Sequence, residues 1–485
     1  MSNEVSNGSV NVIRNTSPKL TKLSITNWNL NETYDLRFIF TELNIYSSID
    51  GVFASGDVTI SEQGNLISSC PLDGREFIEV EFCSLEGQYE PYHRIFFVYA
   101  VDKLFESRDN RSYTIRFTDV LGKINLDMRL SIKYEDKIEN ILKQIEEIIE
   151  NPEMGFEDYK QILNNHDTIP TGNRMFPLND KDDLYIETDY EMKCVVPSWH
   201  PVKFINYMVD RALSKDSTSI QEEKFTDCLF FQNRKGEYIL TNYKKMFNTQ
   251  LETEFTKNIE FKKEIANLKI EKGGFSEVKY AVQRYDLSKI FNDQIQKQIG
   301  FFGFTDFITN FVEAKCEPVK VNKDEIQSCI YNYGLSLKEQ YPYETIKKTE
   351  ESVYYYDTCG MNTEIQDKEY ERFTLPHLKG QVIRSYLENA KITIEMNGVS
   401  DIDIGKFVYI DLGKSDDNSV TQYVNGTKWV ISKYAHRFLS DGTYNTMVEC
   451  FTPYINRERD ANHTQVERQL REGNDAAVAV QNSYR

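Results

Sequence analysis

Paired cysteines, clustered histidines, long apolar runs and a surplus of basic charge are all missing from this 485-residue sequence. The eight cysteines stand singly. The closest spacings, Cys70 to Cys83 and Cys316 to Cys329, each leave twelve residues between, so no CxxC unit or short-loop staple exists and reduced thiols are expected. The six histidines, at 93, 166, 200, 377, 436 and 463, show no HxH, HxxxH or Cys/His spacing, which removes local support for a zinc site. The longest apolar run, Ile95 to Val101, is seven residues, and the polar stretch Met1 to Ser17 is no charged-then-apolar leader. A soluble chain without a secretion address is expected, so the sequons at Asn31 and Asn425 carry no weight. Lys and Arg number 57 against 76 Asp and Glu, and the net charge of -19 argues against a sequence-neutral DNA binder or a membrane-surface binder.

Catalytic signatures are equally scarce. There is no GxSxG, P-loop or GxGxxG, and Gly300-Phe301-Phe302-Gly303 is too apolar to cradle a phosphate. Asp180, Asp182 and Asp183 read as a solvated loop, because Tyr185 occupies the place where a calcium loop needs glycine. Ser198 and His200 flank a helix start between two prolines and read as capping residues rather than nucleophile and base. Two glycosidase carboxylates among 76 acids are neither excluded nor indicated. No catalytic residue, cofactor or metal ligand is expected.

What is present is a folded, aromatic chain. Hydrophobic types make up 40%, with 29 Phe, 30 Tyr and 3 Trp, too much apolar surface for disorder. The length suits roughly three domains. From Leu20 to Asp119, alternating pairs succeed one another: Phe38/Phe40, Leu43/Ile45, Val58/Ile60, Ile78/Val80/Phe82, Ile95/Phe97/Tyr99 and Tyr113/Ile115/Phe117. Turn residues such as Asp50-Gly51 and Asp73-Gly74 divide them, and such spacing predicts a small barrel or sandwich. The period then becomes helical: Ile138, Ile141, Leu142, Ile145, Ile148 and Ile149 share a stripe that ends near Asn151-Pro152. A loop is expected over 164–189, then a helix opened by Pro201 that carries Phe204, Met208 and Ala212, and then a hairpin over Cys228 to Leu240 turning at Asn233-Arg234-Lys235-Gly236. Residues 257–370 read as mixed. A helix from Leu378 precedes strands at Ile392/Ile394/Met396, Phe407 to Leu412, Trp429/Ile431 and Met447 to Phe451, and the last thirty residues read as a polar tail.

The fold class that follows is mainly β with α+β insertions: two similar small antiparallel β-barrel domains plus a mixed helical/β middle domain. The expected division is an arm at 1–18, a first barrel at 19–122, a middle domain at 123–250 and 287–375, a second barrel at 251–286 and 376–455, and a tail at 456–485. Scaffold roles fall to Ile78, Val80, Phe82, Trp199, Phe204, Met208, Val408, Ile410 and Trp429, with core burial the expectation for each. The two β-rich ends also echo one another. Gly74 to Phe82, a polar loop, Ile95 to Phe105, a turn and Tyr113 to Phe117 have a counterpart in Gly405 to Leu412, a polar loop, Trp429 to Phe438, a turn and Tyr444 to Phe451. The echo fits either a duplication or the pattern any two antiparallel barrels share.

Three blocks of this pattern resemble a known family. Leu43 to Ile49, Gly56 to Ile60 and Pro71 to Phe82 resemble the opening barrel of contractile-tail bacteriophage baseplate hub proteins of the T-even type, relatives of the hub part of type VI secretion spikes. Ser198 to Ala212 with Phe230-Phe231-Gln232 is similar to their middle domain, and Gly405 to Leu412 with Trp429 to Phe438 and Tyr444 to Thr446 to their closing barrel. The resemblance implies a structural, non-enzymatic homotrimer in the virion baseplate, assembled in the host cytoplasm, whose barrels join a sixfold tail tube to a threefold spike and form part of the DNA channel. Its implied partners are the central spike protein, the tail tube or tube-initiator protein and baseplate wedge proteins, with DNA only in transit and no membrane binding. On that reading the excess carboxylates either line the bore or are ordinary solubility charge on the outer faces. The alternatives are a receptor-binding tail adhesin and a tail-associated cell-wall hydrolase.

Overall fold

The computed structural model describes residues 19–27, 32–64, 66, 70, 72–83, 91–107, 110–164, 174–215, 225–246, 259–263, 281–289, 298–310, 315–326, 354–358, 374–412, 424 and 428–453. The expected arm, the expected tail, Trp28, Asn31, Asn425 and the charged run 347–351 lie outside them.

The N-terminal part is a curled antiparallel sheet of β1 (Lys19–Asn27), β2 (Glu32–Asp35), β3 (Phe40–Ser48), β4 (Ser55–Glu62), β5 (Glu76–Cys83), β6 (Tyr92–Glu106) and β7 (Arg111–Thr118), in the order β3-β4-β7-β6-β5-β1-β2. Period-two alternation turns Leu43, Ile45, Val58, Ile60, Ile78, Val80, Phe82, Phe96, Tyr113, Ile115 and Phe117 into one interior. Leu23 and Ile25 of β1 join that interior, as the curl requires. Phe38, expected in a strand, lies instead in the turn after β2 and is 86% exposed. Its neighbours Leu36 and Phe40 satisfy the turn hydrogen bond, leaving the ring outside.

The middle domain follows. It holds α1 (Val120–Asp127), β8 (Lys133–Lys137), α2 (Ile138–Glu150), α3 (Glu157–Asn164), β9 (Glu191–Val195), α4 (Pro201–Val209) and the hairpin β10 (Cys228–Gln232) and β11 (Tyr238–Asn242). Asp136 organises the start of α2, its carboxylate accepting from the Lys137 N–H at 2.7 Å and the Asn140 amide at 2.8 Å. Ile138, Ile141, Leu142, Ile145 and Ile149 are buried on one stripe, each stabilising by about 1.5–3 kcal/mol. α4 begins at Pro201 as expected but ends at Val209, short of Ala212. The loop expected over 164–189 is strongly buried at Met175, Phe176, Leu178, Leu184 and Ile186, and α3 precedes it where no helix was expected. Asp180 pairs with Lys143 at 3.0 Å and Asp182 accepts from the Leu184 N–H at 2.8 Å. The hairpin turns on Gly236 at φ 93°, and its strands face two ways. Phe230 and Tyr238 point into the middle core, whereas Leu229, Phe231 and Ile239 point into the next one.

The C-terminal part contains β12 (Ile259–Lys263), β13 (Ala281–Lys289), a three-stranded sheet of β14 (Gly303–Asn310), β15 (Lys315–Asn322) and β16 (Tyr354–Thr358), α5 (Leu375–Leu387), and β17 (Ala390–Asn397), β18 (Phe407–Asp411), β19 (Lys428–Leu439) and β20 (Tyr444–Thr452). Strands β12, β13, β17, β20, β19 and β18 pair round in a closed ring. Its core takes Val382, Ile383, Tyr386 and Leu387 of α5 together with Ile392, Ile394, Val408, Ile410, Trp429 and Val448. Phe301, Phe302, Phe304 and Val321, from the stretch expected in the middle domain, pack here too.

These two sheet modules are alike strand by strand. The spatial order β3-β4-β7-β6-β5 repeats as β13-β17-β20-β19-β18, with the same chain order and antiparallel throughout. Each copy carries a one-residue bulge at the same two places. Thr41 on β3 matches Gln283 on β13, and Tyr99 on β6 matches Ser432 on β19. Superimposing the bulges equates the facing pair Val58 and Ile115 with the facing pair Ile394 and Val448, so the registers agree at the centre of the module. The copies differ in an insertion, since β3 and β4 join by a tight turn whereas β14 to β16 and α5 lie between β13 and β17; in further bulges on β13 between Asp286 and Lys289 and on β6 between Asp102 and Phe105; and in the flanking strand, antiparallel β1 beside β5 but parallel β12 beside β18.

Candidate functional site

The two modules are not separate bodies. Lys428 to Tyr409-side pairing ends early on β19, so its first residues close the C-terminal ring on β18, while Lys433 to Leu439 pair antiparallel with Ser48 to Glu42 of β3. One thirteen-stranded sheet therefore runs through both modules. Alternation along β19 sorts the seam into two faces. On the outer face Lys433, Ala435 and Arg437 stand beside Ser48, Tyr46 and Asn44. Arg437 binds Glu42 at 3.0 Å, Lys433 binds Glu449 at 3.0 Å, and Arg116 binds Asp102 at 2.6 Å, while Asp57 and Glu395 accept from the Asn44 and Asn445 amides. A groove of about 340 Å³ lies along it, lined by Tyr46, Gly51, Phe53, Lys433 and Met447.

On the inner face His436 and Phe438 enter the core of the N-terminal module. Phe82 stacks on Tyr92 at 4.7 Å and meets His436, Phe438 and Tyr444 edge-on at 5.0, 4.8 and 5.4 Å. Phe438 stacks on Tyr444 at 4.1 Å. The N-terminal core is thus completed by side chains of the C-terminal module, which couples the two mechanically. His436 is fully buried, with Nδ1 3.0 Å from the Tyr444 hydroxyl and Nε2 without a partner. Burial, and next the charge of Arg234, lower its pKa from 6.5 to about 3, so the ring is neutral. Burial likewise pushes the Tyr92 hydroxyl up to about 12.

A buried polar network ties the middle domain to this seam. Arg94 donates to Asp119 at 2.6 Å, and the other Asp119 oxygen accepts from Gln232 at 3.0 Å and the Tyr238 hydroxyl at 2.9 Å. Burial pulls the Arg94 pKa down, but Asp119 outweighs it and leaves the guanidinium above its ordinary value. Gln232 in turn accepts from the Ala54 N–H at 2.9 Å, beside the first module's turn. Arg234 reaches the Pro91 and Ser400 carbonyls at 3.3 and 3.2 Å while its N–H donates to Asp403 at 2.9 Å. The β10–β11 hairpin therefore grips both modules by charge-assisted bonds in a dry environment, where each bond is strong and each loss costly.

The residues singled out in the sequence fall into three cores rather than one site. Ile78, Val80 and Phe82 lie in the N-terminal core, Phe204 and Met208 in the middle core, and Val408, Ile410 and Trp429 in the C-terminal core, all at 1% exposure or less. Trp199 packs at the edge of the middle core against Tyr207, with Lys203 over its ring at 4.6 Å. Neither Ser198 nor His200 caps α4. Ser198 takes a left-handed φ of 56°, His200 turns its Nδ1 to the Met128 carbonyl at 3.1 Å, and the cap comes from Asn125, which accepts from the Val202 N–H at 2.9 Å. The Arg94–Asp119–Gln232 network and His436 carried no motif. Their one sequence signal is strand phase, since His436 alternates in step with the inward Tyr434 and Phe438.

Among the described residues no group of three His, Cys, Asp or Glu stands close enough to hold a metal ion, and no helix is long and apolar enough to cross a membrane. No family model matches the sequence, and no curated protein matches it. Solved structures do. The tail protein from Neisseria meningitidis MC58 is 10% identical, with 89% of this chain and 96% of that one covered at a TM-score of 0.46. The 43 kDa tail protein of prophage MuSo2 from Shewanella oneidensis is 10% identical, with 89% and 98% covered at 0.45. The E. coli c3393 protein, a component of the type VI secretion system, is 9% identical, with 86% and 76% covered at 0.39.

Proposed function

We propose that this chain is the structural hub of a contractile phage tail. It acts as a homotrimer that adapts a sixfold tail tube to a threefold central spike and forms part of the channel through which DNA leaves. The observation that carries the reading is the presence, on one chain, of two sheet modules alike in strand order, central register and two of their bulges and joined edge to edge. Three such chains present six similar surfaces, so a threefold assembly mates with a sixfold one. The hub is a virion component without enzymatic activity, contacting spike, tube or tube-initiator and wedge proteins. Its rigidity comes from the shared core at the β19–β3 seam and from the hairpin that grips both modules. The net charge of -19 fits a channel wall that does not hold passing DNA.

The test is the solution mass of the full chain, alone and with its spike protein. Three times 56.8 kDa supports the reading. A monomer that stays monomeric with both tube and spike proteins present refutes it.

A further inference from the structure

The middle domain carries a row of cations that no acid neutralises. Trp199, Lys203, Tyr207 and Arg211 recur every fourth residue, which sets them in line along α4 and its flanks. Trp199 meets Tyr207 edge-on at 5.3 Å, Lys203 lies over the Trp199 ring at 4.6 Å, and Arg211 lies over the Tyr207 ring at 4.0 Å. Arg129 joins the row at its N-terminal end, donating to the Ser198 carbonyl at 3.2 Å. Elsewhere even exposed arginines hold a carboxylate, as Arg37, Arg75, Arg116 and Arg437 do. Among the described residues none forms an ion pair with Arg129, Lys203 or Arg211, and the adjacent Asp210 is turned to Arg384 at 3.5 Å. Apolar surface borders the row. Leu130 and Trp199 exchange backbone hydrogen bonds of 2.8 and 3.2 Å, and the Val196 N–H donates to the Ile132 carbonyl at 3.0 Å. Ile132 and Val195, on this rung and the next, are 40% and 71% exposed, and Leu126, beside the Asn125 that caps α4, is 54% exposed. Between the two parts Ser198 holds its left-handed φ of 56°, a strained conformation of the kind that functional surfaces retain.

We infer that this face docks a segment of a partner protein in which aspartates or glutamates flank an apolar side chain. The apolar side chain covers Leu126, Ile132 and Val195, and the flanking carboxylates meet Arg129, Lys203 and Arg211. Desolvating a cation is offset only when an opposite charge arrives with it, so unmatched cations beside an apolar patch select an acidic partner. Lys203 and Arg211 are already seated on rings, so docking removes little of their side-chain freedom. Nucleic acid fits less well. Its phosphates would meet three cations on a chain of net charge -19, and they gain nothing from the apolar patch. The face belongs to the middle domain and uses no residue of the β19–β3 seam, so the inference goes beyond the hub reading and stands without it.

The experiment selects a displayed random-peptide library on the immobilised full-length protein, with counter-selection on K203E/R211E, a variant expected to keep the wild-type circular dichroism spectrum. The enriched peptides are expected to carry aspartate or glutamate on both sides of a phenylalanine, leucine or tryptophan. Made synthetically and followed by fluorescence anisotropy, they are expected to bind K203E/R211E about tenfold or more weakly than the unmodified chain, and V195S several-fold more weakly. K181E/R284E makes the same change of net charge at exposed cations outside the face, and is expected to bind them as the unmodified chain does. Enrichment without an acidic bias, no enrichment at all, or equal weakening in K203E/R211E and K181E/R284E overturns the inference. So does an oligonucleotide that binds the unmodified chain more tightly than the peptides and is lost in K203E/R211E, which would assign the face to nucleic acid.

Discussion

Acid should loosen the joint between the modules through one side chain. His436 is walled by Phe82, Tyr92, Tyr434 and Tyr444, and no solvent reaches it. In the fold its pKa is lowered to about 3, whereas in the unfolded chain it takes up a proton near 6.5. Between those values the unfolded state binds more protons, so stability is complete above pH 6.5 and falls as pH drops toward 3. At pH 5 the loss is about 2 kcal/mol, from ~1.5 pH units at 1.36 kcal/mol each, and at pH 3 it approaches ~5 kcal/mol. H436F keeps an aromatic ring in the same space and removes the titration, at a pH-independent cost of about 1 kcal/mol for the Tyr444 hydroxyl left short of a partner. Urea unfolding of both proteins at pH 7.5 and pH 5.0 measures the difference, because every carboxylate titrates alike in the two and cancels. A wild-type loss about 2 kcal/mol greater than that of H436F is expected. Equal losses would refute the reasoning.

Other outcomes follow from the same geometry. D119A strands the buried Arg94 and two further donors, and should destabilise by about 3–5 kcal/mol in urea titration, with R94M/D119L recovering most of the loss. G56V should cost several kcal/mol in the same assay, since its Cβ would overlap the Asn44 carbonyl oxygen and the Phe117 ring at the β3–β4 pairing. Under native conditions iodoacetamide should label exposed Cys316 and spare Cys228 and Cys450, whose thiols burial pushes well above their ordinary pKa, as peptide mapping would show.

The sequence was most legible where the signal was local. Alternation placed Ile78, Val80 and Phe82 on an inward strand face, the 3.6 period placed the α2 stripe, and Asn233 to Gly236 marked a hairpin. The echo between the ends was readable only over β5–β7 and β18–β20, because the insertion between β13 and β17 splits the rest of the second module. The seam itself was beyond reach. Arg437 and Glu42 are 395 residues apart, and no periodicity reports a pairing across that distance. The polar network is hidden for the same reason: Arg94, Asp119 and Gln232 are ordinary residues in their own strands and loops, and matter only where three elements meet. Ser198 and His200 had the composition of a cap, but Asn125 of α1 reaches the α4 N-terminus first.

The most direct measurement is electron cryo-microscopy of the full-length protein bound to its spike, viewed down the axis. Three chains whose six sheet modules repeat every sixty degrees around a threefold spike would bear out the twin-module account. A complex with a single chain on the spike, or a trimer whose two modules lie at different radii and make no sixfold ring, would contradict it.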